Sequence, residues 1–228
     1  MADYTLSPAT PEDAEAIASL FAQSWTSPFS QLQFGEIDPI SLATAMAPRI
    51  KSKLENPTNS CTMVMHSPAT KGGKVAAVAQ WTLPLNVTHD SNETSEEKAE
   101  LQHFEDEMYR NSLPEKSNKD LIMEFTKGLR ELRAEIIQAR PHYLLENIAT
   151  HPDHRGQGLA SKLLEWVFPF ADEKHVLVYL DTADDNPAMR IYKKVGFEES
   201  GSSDIEKLER FGGEGIHRHV AFVRAEGR

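Results

Sequence analysis

The sequence predicts a mixed α/β domain that contains an anion-binding turn between a strand and a helix. The apolar segment Tyr143–Thr150 is typical of a buried strand, and Leu159 and Leu163 follow it at helical spacing on one apolar face. Gly156 and Gly158 stand between the two elements. Glycine lets the backbone approach a ligand closely, and the first turn of a helix presents unpaired N–H groups to an anion. We therefore expect a phosphate group to bind at this turn.

The first half of the chain predicts helices and then a pair of strands. Thr10 can cap a helix that has Pro11 at its first position, and Asp13 can complete the capping interaction. Pro39–Leu54 is the clearest helical segment in the region that follows. Two strands with a glycine turn between them come next: Cys61–Met65, Lys71–Lys74 and Val75–Leu83.

The second half begins with a polar and then amphipathic segment over residues 86–140. Its pattern predicts two helices, around Glu96–Tyr109 and Leu121–Gln138. The eight carboxylates that accompany a single lysine between Asp90 and Glu107 are typical of a solvated helix face or loop. Beyond the glycine turn, Pro169 is expected to kink or end the helix, and Val176–Leu180 is typical of a buried strand.

Two well-known phosphate-binding folds share part of the pattern at the glycine turn. A dinucleotide-binding fold requires G-x-G-x-x-G directly after the strand and an acidic residue about 20 positions further on. Asp181 supplies such an acid, but Ser161 stands at the third glycine position, and only 70 residues follow Gly158. A P-loop requires a Lys-Ser or Lys-Thr pair after the glycines, and none follows them here. The sequence therefore disfavours a nicotinamide site and excludes a P-loop.

The turn fits a third pattern, Arg/Gln-x-x-Gly-x-Gly/Ala, which Arg155, Gly158 and Ala160 fill in register. In this respect the chain resembles the GNAT superfamily of acyl-CoA-dependent N-acetyltransferases, whose pyrophosphate loop has that pattern. A second block, Asp185–Phe197, resembles the family's later motif of a short helix that carries a tyrosine and is closed by Gly-Phe. Its tyrosine, Tyr192, lies 37 residues after Arg155, which leaves room for one helix and one strand between the motifs.

Less specific motifs extend the resemblance over nearly the whole chain. Tyr4–Ala18 is similar to the family's opening strand and first helix, and the segment from Phe211 to Val223 is similar to the closing hairpin of the fungal-type members. The resemblance implies a single domain over residues 1–228, with a central, mostly antiparallel sheet flanked by helices. The sheet would splay open between the glycine-loop strand and the next strand, with acyl-CoA in the gap. The 86–140 insertion would either cover the acceptor site or serve only in packing.

The resemblance also implies an activity, the transfer of an acetyl group from acetyl-CoA to an amine by direct attack on the thioester. Tyr192 would protonate the leaving thiolate, on a helix that starts at Asn186 as N-cap and Pro187 and ends at Gly196. Glu146 would act as general base, with a pKa raised by its apolar strand. The residues expected to bind the cofactor are Ile148, Ala149, Thr150, Arg155, Gly156, Gln157, Gly158, Leu159, Ala160, Asn186 and Tyr192.

The sequence leaves several alternatives open. The chain could be a non-catalytic acyl-CoA-binding or regulatory module, or an enzyme that uses another acyl group. The family's asparagine before the tyrosine helix aligns with Asp185, one position before Asn186, so which residue contacts CoA is open. Trp25 and Trp81 could line an acceptor pocket, although core packing is the commoner role. Monomer and homodimer are both compatible with the sequence.

The composition of the chain indicates which kinds of partner and which cellular location to expect. The net charge of −11 disfavours nucleic acid as a partner and favours a cationic acceptor. No run of apolar residues approaches the 18 that a membrane helix requires, so no membrane contact is expected. Cys61 is the only cysteine, which excludes an intrachain disulfide, and the start Met1–Tyr4 is not typical of a secretory signal. We therefore expect a location in the cytoplasm or the nucleus.

The histidines of the sequence do not form a metal site. No grouping of His, Cys, Asp and Glu has the spacing of a ligand set, so no metal is expected. His151 and His154 flank the glycine turn and are expected to be solvated. His217 and His219 alternate on the last strand and are expected to lie on its exposed face.

Overall fold

A seven-stranded sheet forms the centre of the computed structural model, which describes residues 3–35, 38–84 and 94–227. The strands are β1 (Thr5–Pro8), β2 (Ser60–His66), β3 (Val75–Thr82), β4 (His142–Thr150), β5 (Leu177–Ala183), β6 (Glu198–Ile205) and β7 (His217–Arg224). The α-helices are α1 (Ala14–Ser24), α2 (Pro28–Phe34), α3 (Pro39–Glu55), α4 (Ser95–Ser112), α5 (Lys119–Ile137), α6 (Leu159–Glu165), α7 (Phe168–Lys174) and α8 (Met189–Lys194). Short 3-10 helices cover Pro11–Asp13, Ala69–Lys71, Pro152–His154 and Leu208–Phe211.

The sheet opens between its two parallel strands. The strand order is β1-β2-β3-β4-β5-β7-β6, and only β4 and β5 are parallel among the neighbouring pairs. Their pairing covers three residue pairs and ends at Leu144 opposite Tyr179. Beyond this point β4 continues to Thr150 and β5 to Ala183 without pairing to each other. The expected mixed fold, with a mostly antiparallel and splayed sheet flanked by helices, is confirmed.

Side chains that alternate along the strands divide the core between the two faces of the sheet. On one face, Met63 and Leu145 pack with Leu163 of α6 and with α8. On the opposite face, α1 packs on β2, β3 and β4, and α5 packs on β4, β5 and β7. Because α5 belongs to the 86–140 insertion, that insertion builds the second face of the core next to the gap. We call this second side of the sheet the α5 face.

The predicted helices have their expected places. Helix α6 ends at Glu165 and α7 begins at Phe168 with Pro169 in its first turn, so the expected interruption is confirmed. Helices α4 and α5 match the two helices predicted in the insertion. The start of the insertion, residues 86–93, lies outside the described residues. Helix α2, whose bounds were not predicted, is capped by the Ser27 side chain, which accepts a hydrogen bond from the Ser30 N–H at 3.1 Å.

Candidate active site

The turn between β4 and α6 has the open backbone expected from its glycines. Strand β4 ends at Thr150, a 3-10 turn follows at Pro152–His154, and α6 begins at Leu159. Gly156 and Gly158 have φ angles of +73° and +71°, a region that favours glycine. A Cβ atom at either position would meet no atom within 4 Å. The space over the turn is therefore open to a ligand.

The side chains of the turn differ in what they can offer a ligand. Arg155 and Gln157 are exposed at its rim, whereas Leu159 is buried in the core. Ala160 is half-buried in the first turn of α6. Leu159 can therefore contribute only backbone groups, while Arg155 and Gln157 can contribute side chains.

The histidines beside the turn are structural contacts rather than solvated residues. The Tyr4 hydroxyl lies 3.0 Å from Nδ1 of His154, and their rings meet edge to face. The His151 ring accepts a hydrogen bond from the Asp153 N–H at 3.2 Å. Both histidines are half-buried, so the expectation that they are solvated is wrong. His154 attaches the turn to the segment before β1, and His151 holds the turn through its bond to Asp153.

Strand β4 presents backbone groups to the gap at every second residue. The His151 N–H donates to the Ala76 carbonyl at 2.9 Å, which fixes the alternation of hydrogen bonds with β3. Backbone groups of Ala149 therefore point to β3, and those of Ile148 and Thr150 point to the gap. Strand β5 does not pair with either residue. A ligand in the gap could use these groups as a neighbouring strand would.

Tyr192 of α8 is a core residue with a polar end. Its side chain is 4 % exposed and its ring packs against Phe197 and Phe222. Burial raises the pKa of Tyr192 to about 12, although the Thr182 hydroxyl on β5 acts in the opposite direction. The phenol is therefore protonated at neutral pH and beside the strand that borders the gap.

Asn186 stabilises the turn before α8, although it is not the N-cap of that helix. Helix α8 begins at Met189 with Ala188 as N-cap, so the predicted start of the helix is wrong. Asn186 Oδ1 accepts a hydrogen bond from the Ala188 N–H at 2.9 Å, and its Nδ2 donates to Thr182 Oγ1 at 2.7 Å. The Asn186 side chain thus satisfies a backbone N–H just before the first residue of α8. Gly196, with φ +97°, follows the helix as expected.

Glu146 is the extra residue of a β-bulge. In the β3–β4 pairing, Asn147 stands opposite Gln80 and Leu145 stands opposite Trp81. Glu146 between them has no residue opposite it on β3, and bulges of this kind redirect a side chain. The bulge brings the Glu146 carboxylate to the side of the sheet where α3 and α5 pack.

The environment of Glu146 is charged rather than apolar. Its carboxylate accepts hydrogen bonds from Lys53 Nζ of α3, at 2.6 Å, and from the Thr82 hydroxyl. Burial acts to raise the pKa of Glu146, but these bonds and the charges of Lys53 and Arg133 outweigh it, so the pKa lies below its usual range. The expected raised pKa is therefore wrong. Glu146 is ionised at neutral pH.

A second carboxylate faces Glu146 across the gap. The last parallel pair is Leu144 opposite Tyr179. Glu146 on β4 and Asp181 on β5 each lie two residues beyond this pair. Arg133 of α5 places Nη2 3.4 Å from Asp181 Oδ2, and it also lowers the pKa of Glu146. Burial raises the pKa of Asp181. In the sequence, Asp181 stands out only as the acid that a dinucleotide-binding fold would require; its contact with Arg133 depends on α5, which is distant in sequence.

The two histidines of β7 point inward, so the expectation of an exposed face is wrong. The Phe29 ring stacks on His217 with centroids 3.4 Å apart, and the Phe125 ring lies 4.8 Å from that of His219. Their strand alternation was predicted correctly, but α2 and α5 cover the face on which they lie. They stand on the same side of the sheet as Asp181.

Other candidate groups have structural roles. Trp81 is completely buried in the core, and the partly buried Trp25 packs against the core in a stack between Phe21 and Phe34. Among the residues that the structure describes, no group of three or more His, Cys, Asp and Glu could hold a metal ion. No helix in the described ranges is long and apolar enough to cross a membrane.

The sequence matches the acetyltransferase (GNAT) family over residues 15–197, and the chain belongs to that family. It is thus an acetyltransferase of a class that uses acetyl-CoA. Among curated protein sequences, none matches the chain significantly.

Solved structures share the fold at low sequence identity. Arylalkylamine N-acetyltransferase 2 from Aedes aegypti has a TM-score of 0.67 and 13 % identity, with 99 % of this chain and 100 % of that chain covered. The histone acetyltransferase HPA2 and related acetyltransferase from Corynebacterium glutamicum has a TM-score of 0.57 and 18 % identity, with 100 % and 98 % covered. A phosphinothricin acetyltransferase from Sinorhizobium meliloti, solved with acetyl-CoA, has a TM-score of 0.56 and 16 % identity, with 98 % and 89 % covered. At these identities the likeness shows the fold alone.

Proposed function

We propose that the protein is an N-acetyltransferase that transfers the acetyl group of acetyl-CoA directly to an amine acceptor. The observation that carries the proposal is the gap between β4 and β5, which opens beyond Leu144 and has the glycine turn at the end of β4. A site of this form can hold an extended cofactor arm between two strands and its phosphates over a helix start.

The described residues fit that cofactor. The open space over Gly156 and Gly158 has room for a pyrophosphate, and Arg155 adds a positive charge at the rim. The gap-facing backbone groups of Ile148 and Thr150 suit the amides of a pantetheine arm. The proposed cofactor-binding set is therefore Ile148, Ala149, Thr150, Arg155, Gly156, Gln157, Gly158, Leu159, Ala160, Asn186 and Tyr192, with Asn186 acting through its bond to Thr182.

Tyr192 and Glu146 are the proposed acid and base. A phenol with a pKa of about 12 keeps its proton at neutral pH, so it is available to protonate the CoA sulfur as the thioester bond breaks. Glu146 is ionised and can attract the acceptor ammonium and take a proton from it, directly or through water. The Lys53 Nζ atom, which donates a hydrogen bond to Glu146 Oε2 at 2.6 Å, fixes the orientation of this carboxylate.

The net charge of −11 supports a cationic acceptor and no nucleic-acid partner. We assign the chain to the fungal-type members because β6 and β7 form a closing hairpin around the 3-10 turn Leu208–Phe211. We propose a cytoplasmic location and a monomer or homodimer as the working form.

The test is turnover of acetyl-CoA against a panel of amines, read by release of the free thiol. The panel contains 2-phenylethylamine, spermidine, lysine and a peptide with a free N-terminus, and propionyl-CoA replaces acetyl-CoA in a parallel series. Thiol release that depends on an amine supports the enzyme. CoA binding without turnover of any amine would instead support a non-catalytic binding module. Faster turnover of propionyl-CoA than of acetyl-CoA would show that the protein transfers another acyl group.

A further inference from the structure

A row of three polar side chains leads from the gap in the sheet to a groove at the surface. Asp181 lies on β5 beside the gap, and His219 of the neighbouring β7 places Nε2 3.9 Å from Asp181 Oδ1. His219 Nδ1 lies 3.1 Å from Nε2 of His217, the next residue on the same side of β7. His217 lines an open groove of about 820 Å³, which Phe125 and Ser203 also line; we call it the α5 groove. The row thus connects the gap with solvent.

Aromatic rings fix the two imidazoles. The Phe125 ring of α5 meets both His217 and His219 edge-on, with centroid distances of 5.9 and 4.8 Å. Phe29 of α2 stacks on His217 at 3.4 Å. Rings packed in this way have few alternative rotamers, so the alignment of the two histidines belongs to the fold.

Besides His219 of β7 and Glu146 across the gap, charged and titratable groups of α5, β5 and α8 lie near Asp181. Arg133 of α5 lies 3.4 Å away, Tyr179 stands two residues before it on β5, and Tyr192 of α8 lies close enough for its pKa to respond to the Asp181 charge. Burial raises the pKa of Asp181, while Arg133 opposes this rise. The carboxylate is therefore a stronger base than an exposed aspartate.

The histidines face a different set of charges. Burial lowers the pKa of His217, while Asp184 and Asp185 of the turn after β5 and Asp204 of β6 oppose this effect. Burial also lowers the pKa of His219 to about 3, with a further contribution from His217. Both rings are therefore neutral near pH 7. A neutral imidazole can accept a proton at one ring nitrogen while it releases another from the second nitrogen.

Acetylation of an ammonium ion requires a route for one proton. The nitrogen loses two N–H bonds, the thiol of CoA gains one S–H bond, and the second proton leaves the protein. Glu146 can take a proton, but its carboxylate oxygens are already engaged by Lys53 and Thr82. The row through His219 and His217 joins the gap to solvent by a separate path.

We propose that Asp181, His219 and His217 form a proton relay that carries this second proton from the acceptor nitrogen to the α5 groove. An N–H bond of the acceptor breaks as an O–H bond forms on Asp181. The proton then passes to His219 Nε2 while the Nδ1 proton of His219 passes to His217 Nε2, and His217 releases its Nδ1 proton to water. Between turnovers, a half-turn of each ring about its Cβ–Cγ bond, which keeps the ring plane, together with proton exchange at the groove, restores the starting tautomers. A shift of about 1 Å brings the 3.9 Å step between Asp181 and His219 to hydrogen-bond distance. The relay rests on the proposed N-acetyltransferase function.

The experiment measures steady-state turnover of His217→Gln, His219→Gln and Asp181→Asn with the amine that wild type acetylates fastest in the panel above. We expect kcat to fall by about 10- to 100-fold at low buffer concentration, within the range of proton-transfer groups, while KM for acetyl-CoA stays unchanged. Added imidazole should restore kcat in His217→Gln, whose site opens to the groove, because a small base can replace the last group of a relay. His103→Gln, a substitution of an exposed histidine on α4, is the matched control and should behave as wild type.

The outcomes separate the relay from the proposed function. Active wild type together with histidine variants that overlay it, or a loss of kcat that imidazole does not restore in His217→Gln, overturns the relay alone. Wild type that acetylates no amine overturns the proposed function. In that case, ring-nitrogen NMR of the histidines in the acetyl-CoA-bound protein still tests the row. Asp181→Asn should move the signals of both His219 and His217, and unmoved signals would show that the groups are not coupled.

Discussion

Gly158→Asp tests the glycine turn as the phosphate site. The substitution places a carboxylate in space where a Cβ meets no atom within 4 Å, so the side chain fits and the effect is electrostatic. Two unit charges about 4 Å apart repel by roughly 4 kcal/mol at an effective dielectric of about 20. This corresponds to roughly a 10³-fold loss of affinity, which salt screening reduces to about 100-fold or more.

The matched control is Gly158→Asn, which has the same shape and no charge. Either residue must adopt the left-handed backbone at φ +71°, which costs about 1–2 kcal/mol. The midpoint of thermal unfolding should therefore fall by a similar few degrees in both variants. Isothermal calorimetry with CoA gives the affinities. Asparagine should retain most of the binding that aspartate loses. Equal CoA affinity for the folded aspartate and asparagine variants would refute the placement of the phosphates at this turn.

Three further predictions concern the proposed acid, the proposed base and the core. Tyr192→Phe should lower kcat about 10²-fold while calorimetry finds acetyl-CoA affinity near that of wild type; unchanged turnover would leave Tyr192 as a packing residue only. Glu146→Gln should lower kcat/KM most near neutral pH and recover toward the pKa of the amine, because the lowered pKa of Glu146 keeps the wild-type base ionised down to acidic pH; a profile parallel to wild type would contradict this role. Leu163→Ala, at a fully buried position, should lower the free energy of unfolding by about 2–5 kcal/mol in urea, whereas Ile40→Ala, at a side chain 79 % exposed, should change it by less than about 0.5 kcal/mol.

The glycine turn was predictable because its signal is local. Strand, glycines and helix stand next to one another in the chain, and the positive φ angles of Gly156 and Gly158 follow from residue type. The interruption at Pro169 was predictable for the same reason, since a proline lacks the N–H that a continuing helix would need. In both cases the backbone geometry follows from the residue type at the position itself.

The charges of the site were not predictable, because they depend on residues far apart in sequence. Glu146 stands in an apolar segment and burial acts to raise its pKa, yet Lys53, 93 positions earlier, and the Thr82 hydroxyl lower the pKa below its usual range. Burial of His217 and His219 depends on α2 and α5, and α5 lies in an insertion whose packing has no local signature. Strand alternation alone cannot tell which face of a sheet a helix will cover.

The short parallel pairing of β4 and β5 makes the sheet two half-sheets joined along a brief seam. Three residue pairs hold the seam, and the backbone groups of Ile148 and Thr150 beyond it have no strand on their open side. A pantetheine arm in this place would act as the missing strand and fasten the halves together. Amide hydrogen exchange at these two residues should therefore slow on cofactor addition, and at 100 times Kd the ligand would add about 2.7 kcal/mol to global stability. Cofactor supply would then set how firmly the protein is folded as well as how fast it works.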